Sequence, residues 1–277
     1  MSLPATKPRK AGARQVQATS ADDFLGGRLS VLQPRRGHRA GSDAVFLAAA
    51  VPARGREHVL DVGAGMGVAG LCVLARVPNA KLTAVEIDAG LCRLAAENAA
   101  RNGFGARFTA INADVTLPGK ALAALGLRRD GYAQVMANPP FYTEGSTRPA
   151  RDPRRAAAHV MGGQGLAAWM RFFAAMAAPG ASLTLIHRPD SLGQLLELLD
   201  GRFGGATVFP LFPKPDEPAS RIILQAMKGS RAPLSLLPGL VLHEDDGRYT
   251  AQAESVLRGG ERLDLGLGKK KGRRLGG

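Results

Sequence analysis

Only two cysteines occur in 277 residues, Cys72 and Cys92, far apart and each inside an expected helix. They exclude a disulfide framework or a paired-cysteine metal site and read as small core residues of a reduced, cytoplasmic protein. Five histidines, at 38, 58, 159, 187 and 243, lack ligand spacing, so no metal is expected. Apolar runs are short. The longest, 44–53, covers ten residues and meets Pro52 and Arg54, where a membrane-spanning helix needs ~20. No internal repeat is present. Acids are also scarce, 23 against 37 Lys and Arg, for a net charge of +14. Nine of those fourteen charges sit in the acid-free stretches 1–20 and 265–277, with Lys7, Arg9, Lys10 and Arg14 in one and Lys269, Lys270, Lys271, Arg273 and Arg274 in the other. Flanked by Pro and Gly, these ends have nothing to bury and read as disordered tails, 1–23 and 256–277, around one domain at 24–255. The excess of base suits RNA, and a plain solubility role for the tails competes with that. The N-terminus lacks the amphipathic period of a transit peptide.

What the chain does have is Asn138-Pro139-Pro140-Phe141, directly after the apolar segment 132–137. The Asn138 amide oxygen and the Pro139 carbonyl can each accept a hydrogen from a planar NH2 group, and the Phe141 ring can stack on the plane that carries it. Both prolines fix φ, so the acceptors are preorganised. An ordinary strand-terminating turn uses the same residue types. Upstream, Asp61-Val62-Gly63-Ala64-Gly65-Met66-Gly67 runs from a strand into a glycine-rich turn and then an amphipathic helix. Gly63, Gly65 and Gly67 let backbone approach a ligand closely. The spacing also satisfies the dinucleotide fingerprint, which keeps a nicotinamide oxidoreductase in play. Against it stands Asp61, awkward beside a pyrophosphate but suited to a cationic amino acid group. Glu86 stands at the end of the next strand, 81–88, and can accept from both hydroxyls of a ribose. Asp88 reads as the cap of helix 88–101. Asp114 follows a third strand, 106–111, and is placed to accept from an adenine amino group.

On these residues the chain resembles the class I S-adenosylmethionine-dependent methyltransferases of the N-methylating branch. More narrowly it resembles the bacterial tRNA(Val) adenine-37 N6-methyltransferase family. Beyond the two motifs, Phe24-Leu25-Gly26-Gly27, Gln33-Pro34, Gly41-Ser42-Asp43-Ala44-Val45 and His243-Glu244-Asp245-Asp246-Gly247-Arg248-Tyr249 are similar to that family. The resemblance implies S-adenosyl-L-methionine as cofactor, RNA, most specifically tRNA, as partner, and transfer to adenine N6. It does not separate acceptors such as rRNA guanine N2 or protein glutamine N5. A non-catalytic RNA-binding relative would be expected to lack Asp61, Glu86 or Asn138, and none is missing.

The remaining pattern predicts helices at 165–178 and 190–199 and strands at 182–186, 206–211 and 221–228, the last two forming a hairpin. The expectation is an α/β fold, a Rossmann-like seven-stranded doubly wound sheet, mostly parallel with an antiparallel last strand. A helix starting near Ser42 puts free N–H groups and Arg39 where a cofactor carboxylate can bind, while a simple Ser42 cap explains the same residues. After the Asn-Pro-Pro-Phe turn, Tyr142 and Arg148, Arg151, Arg154 and Arg155 suit an RNA substrate or a merely solvated loop. Trp169 reads as core. Oligomeric state is not legible.

Overall fold

The computed structural model of the protein describes residues 18–37, 39–140 and 165–266. A hairpin of β1 (Thr19–Phe24) and β2 (Leu29–Pro34) precedes helix α1 (Ser42–Ala50). Strands and helices then alternate: β3 (His58–Val62), α2 (Val68–Arg76), β4 (Lys81–Glu86), α3 (Ala89–Arg101), β5 (Phe108–Asn112), α4 (Gly119–Ala124) and β6 (Tyr132–Ala137). After residue 164 come α5 (Gly165–Met176), β7 (Ala177–His187), α6 (Leu192–Leu199), β8 (Phe203–Phe212) and β9 (Arg221–Lys228). Two-residue strands β10 (Ser235–Leu236) and β11 (Leu240–Val241) and helix α7 (Ala251–Leu257) follow.

The sheet runs β10-β8-β9-β7-β6-β3-β4-β5, with β11 also on β8. Strands β7, β6, β3, β4 and β5 pair in parallel, and β9 lies antiparallel between β7 and β8. The seven expected strands are therefore present, with β10 and β11 added along the outer side of β8. Chain order reverses at β3, whose neighbours are β4 on one side and β6 on the other. In an open α/β sheet this is where a crevice opens beyond the strands' carboxyl ends.

Alternation along the inner strands sets the layers. Val59 and Met136 face α1–α3, α7 and the hairpin, while Leu60, Val62, Val135 and Ala137 face α4–α6. All six are fully buried, as expected for a parallel sheet covered on both faces. Polar side chains tie the layers together: Gln225 donates to the Ala50 carbonyl at 2.8 Å and to Thr184 Oγ1 at 3.1 Å. Both cysteines are free and buried.

Several boundaries differ from the expected ones. The fold begins inside the stretch 1–23 assigned to a tail, because Thr19–Phe24 pairs along its whole length with β2. It also runs past 256, with Leu263 and Leu265 in the core and the Leu263 N–H bonded to the Ala49 carbonyl at 2.9 Å. Helix 165–178 stops at Met176, and Pro179-Gly180 lies within β7 as an exposed bulge. Between the pairs Tyr132–Ala177 and Gln134–Ser182 the register jumps, so the proline takes no ladder position. The third strand starts two residues later than 106, after a 3-10 turn at Gly105–Arg107. Gly41, not Ser42, is the N-cap of α1.

Two asparagines four residues apart, Asn98 on α3 and Asn102 at its C-cap, dock the hairpin. Asn98 accepts from the Leu32 N–H at 2.8 Å and donates to the Leu32 and Met66 carbonyls at 3.0 Å. Asn102 accepts from the Ser30 N–H at 3.0 Å and donates to its carbonyl at 2.9 Å. The free edge of β2 is thus satisfied by side chains in place of a further strand. Asn98 is 0% exposed, so Asn98→Ala strands buried backbone groups and should cost about 2–4 kcal/mol in urea unfolding. Asn102→Ala, at the wetter end, should cost clearly less, and equal losses would contradict this docking scheme.

Candidate active site

Beyond the carboxyl end of β3 the chain turns sharply through three glycines in the left-handed region, with φ of 69° at Gly63, 58° at Gly65 and 88° at Gly67. The turn is held by the N–H groups of Gly63 and Ala64, which both reach the Val85 carbonyl, at 2.8 and 3.1 Å. Gly67 is the N-cap of α2. Three residues on, Gly70 lets the first turn of that helix settle onto the sheet, since an added Cβ would stand 2.9 Å from Leu82 and 3.3 Å from Asp61 Oδ2.

Two carboxylates lie under this turn. Asp61 is 2% exposed. It accepts from the Gly70 N–H, and its Oδ2 has no partner. Burial pushes its carboxyl up to about 7, the Gly70 N–H opposes the rise, and nearby Glu86 adds to it. Glu86, at the end of β4, accepts from the Gly65 N–H and the Asp88 N–H, both at 2.8 Å. Its carboxyl is also raised by burial, with those two N–H groups pulling it back. Asp88 caps α3 as expected, accepting from Gly90 and Leu91.

The other expected site residues divide into three groups. Asn138 follows Ala137, the register partner of Val62, so it stands beside Gly63 on the same sheet edge; it is half-buried and Pro139 is buried. Asp114 reaches this edge after β5, where Oδ1 closes a local turn onto the Thr116 N–H at 2.8 Å and hydroxyl at 2.7 Å. Arg39 is exposed, and its guanidinium is engaged on the hairpin. Its guanidinium pairs with Asp22 and bonds Ser20 Oγ at 3.0 Å and the Pro34 carbonyl at 3.1 Å, so it braces the hairpin. Phe141, Tyr142, Arg148, Arg151, Arg154 and Arg155 lie outside the described residues.

Two residues of the edge carry no motif. Ile87, between Glu86 and Asp88, is 63% exposed, an apolar surface suited to a flat ring. Trp169, expected as core, does pack against the core beneath α5, but it is only partly buried and also stands against Gly63. The signal for Ile87 was an aliphatic residue between two acids at a strand end. Trp169 had none, because its helical spacing matches a core position. Among the described residues no group of three or more His, Cys, Asp or Glu is arranged to hold a metal, and no helix is long and apolar enough to cross a membrane.

The orphaned Asp61 Oδ2 and the open side of Gly65, where an added Cβ meets nothing within 4 Å, fit a ligand carrying positive charge and a diol. Asp61 has a stability signature too. Its carboxyl is raised in the fold from an ordinary 3.8 to about 7, so the folded protein holds this proton more tightly than the unfolded chain. That contribution is complete below the ordinary value and is lost as the pH rises through about 7. Asp61→Asn should therefore gain on wild type by about 2 kcal/mol in urea unfolding between about pH 5 and about pH 8. A difference that does not change with pH would overturn the assignment.

Comparison with known proteins agrees with this geometry. Residues 39–152 match the family model of the methyltransferase small domain. A predicted O-methyltransferase of known structure from Agrobacterium tumefaciens is 30% identical, with a TM-score of 0.68 over 80% of this chain and 97% of that one. A tRNA1(Val) (adenine(37)-N6)-methyltransferase from Aeromonas hydrophila is 25% identical over 214 residues, 76% of this chain and 85% of its own. A SAM-dependent O-methyltransferase from Thermotoga maritima shares the fold at 17% identity, with a TM-score of 0.50 over 72% of this chain and 69% of that one. A doubly wound sheet with its antiparallel strand inside, a glycine turn over buried acids and a near full-length likeness lead to one family. The chain belongs to the class I S-adenosylmethionine-dependent methyltransferases.

Proposed function

We propose that this methyltransferase acts on the exocyclic N6 of adenine in RNA, with tRNA as the acceptor. The observation that carries the reading is the Asn138-Pro139 turn at the end of β6, one register step from the Gly63 turn at the end of β3. An exocyclic NH2 offers two hydrogens, and this turn offers two preorganised acceptors, the Asn138 amide oxygen and the Pro139 carbonyl. A hydroxyl would use one and leave the other without a partner. The curated relatives named as tRNA adenine-N6-methyltransferases support the same acceptor. The protein's net charge of +14 suits a polyanion.

S-adenosylmethionine supplies an electrophilic methyl group on a sulfonium. The chain's own residues do the rest by holding and orienting. Asp61, with its unpartnered Oδ2, sets negative potential beneath the glycine turn for the cationic end of the cofactor. Glu86 already steadies that turn through the Gly65 N–H, and its remaining lone pairs serve the ribose hydroxyls. Asp114 Oδ2 and the Ile87 side chain serve the adenine ring. Gly63, Gly65 and Gly67 allow the close approach. Hydrogen bonds to Asn138 and Pro139 draw the acceptor nitrogen out of conjugation with its ring and aim its lone pair at the methyl, with Phe141 stacking on the base. Near-attack placement supplies the acceleration, and no strong base is required. Tyr142 and the arginines at 148, 151, 154 and 155 complete the reading as RNA contacts.

Asn138→Ala should lower methyl transfer at least ~10²-fold, as expected for loss of one preorganised polar group, while calorimetric binding of S-adenosylhomocysteine stays intact. The product from bulk bacterial tRNA should be N6-methyladenosine by nucleoside mass spectrometry. N2-methylguanosine, or a methylated glutamine in a protein acceptor, would move the assignment. An active Asn138→Ala enzyme would remove its chemical basis.

A further inference from the structure

Trp169 is the only tryptophan in the chain, and its surroundings are not those of an ordinary core residue. It sits one turn into α5, half-buried, with its indole edge-on to Phe173 at 5.9 Å between ring centres. Phe173 is 1% exposed and belongs to the core beneath α5. The far edge of the indole points the other way, onto the cofactor turn. A Cβ added to Gly63 would lie 2.5 Å from Trp169 Cη2 and 3.3 Å from Cζ3. No other residue fits there while the indole holds its place. Gly63 also has a φ of 69°, which resists any side chain.

The turn is thus gripped from two sides. The Val85 carbonyl takes its N–H groups from the β4 side, and the six-membered ring of Trp169 closes against its α-carbon. Asn138 follows the register partner of Val62 and so stands at the same seam. One aromatic ring therefore connects the helix after the Asn-Pro-Pro turn to the turn that holds the cofactor. Its inner edge is fixed by the core and its outer edge touches the binding loop, an arrangement that transmits position instead of adding burial.

We propose that Trp169 is a positioning residue of the cofactor site: it braces the Gly63 turn in its binding shape, so that the placement of α5 and occupancy of the cofactor turn are linked. The inference rests on the family's cofactor and not on the acceptor assigned above, and its test uses S-adenosylhomocysteine alone.

Being the sole tryptophan, Trp169 reports on itself. Titrating the full-length protein with S-adenosylhomocysteine should change its fluorescence with the midpoint that calorimetry gives for binding. Trp169→Phe keeps a ring against Phe173 but withdraws the atoms that touch Gly63. It should weaken S-adenosylhomocysteine roughly fivefold or more, the scale expected when a preorganised loop is loosened. It should raise KM for the methyl donor more than it lowers kcat. Met170→Leu, a near-isosteric change on the buried face of the same helix, keeps the Trp169–Phe173 contact and should leave the affinity within about twofold, inside the scatter of an indirect effect. Fluorescence unmoved by ligand that calorimetry shows to be bound would overturn the proposal. So would a loss in Met170→Leu as large as that in Trp169→Phe.

Discussion

Parallel pairing of β3 with β4 on one side and β6 on the other is the constraint on which the rest of the structure depends. Val62 is opposite Val85 in one ladder and opposite Ala137 in the other. The residues next in the chain, Gly63, Glu86 and Asn138, then emerge along one line. Distances along the chain are large, yet the ladder sets them side by side to within a residue. A slip of one position would turn Leu60 and Val62 toward the wrong layer, so burial on both faces defends the register that the site requires.

That edge is built from acids stapled by backbone. Glu86 is held by two N–H groups and Asp61 by one, with no cation beside either among the described residues. Amide groups at the start of α2 and α3 carry partial positive charge and point along the helix axes, so they steady the carboxylates without neutralising them. Among the described residues Arg39, the cation expected at this edge, pairs with Asp22 in the hairpin. The result is a cluster of acids beneath a glycine turn in a protein that is otherwise strongly basic, which suits a cationic cofactor and the polyanionic acceptor proposed above.

The strands and the glycine turn were legible because they use local rules. Period-two burial, the apolar run 132–137 and the Asp88 cap each follow from neighbours along the chain. Other features depended on distant partners. Pro179-Gly180 reads as a helix stop, yet the strand begins before it, because β6 pairs with Ala177 and the chain bulges to regain register at Ser182. The hairpin at Thr19–Phe24 was hidden inside a stretch read as a tail. Its inward residues are few, and the free edge of its partner β2 is satisfied by Asn98 and Asn102, some seventy residues away.

By itself the sequence determined the class of chemistry: a glycine turn after Asp61, Glu86 at the next strand end, and an Asn-Pro-Pro turn can be read from residue types and spacing, since each motif carries its own backbone requirement. Only the tertiary structure decided what surrounds them. It sealed Asp61 almost completely, sent Arg39 to the hairpin, and brought the ring of Trp169 onto Gly63. Burial and contact arise between segments far apart in the chain, and a helical tryptophan facing the core has the same spacing as one facing a binding turn.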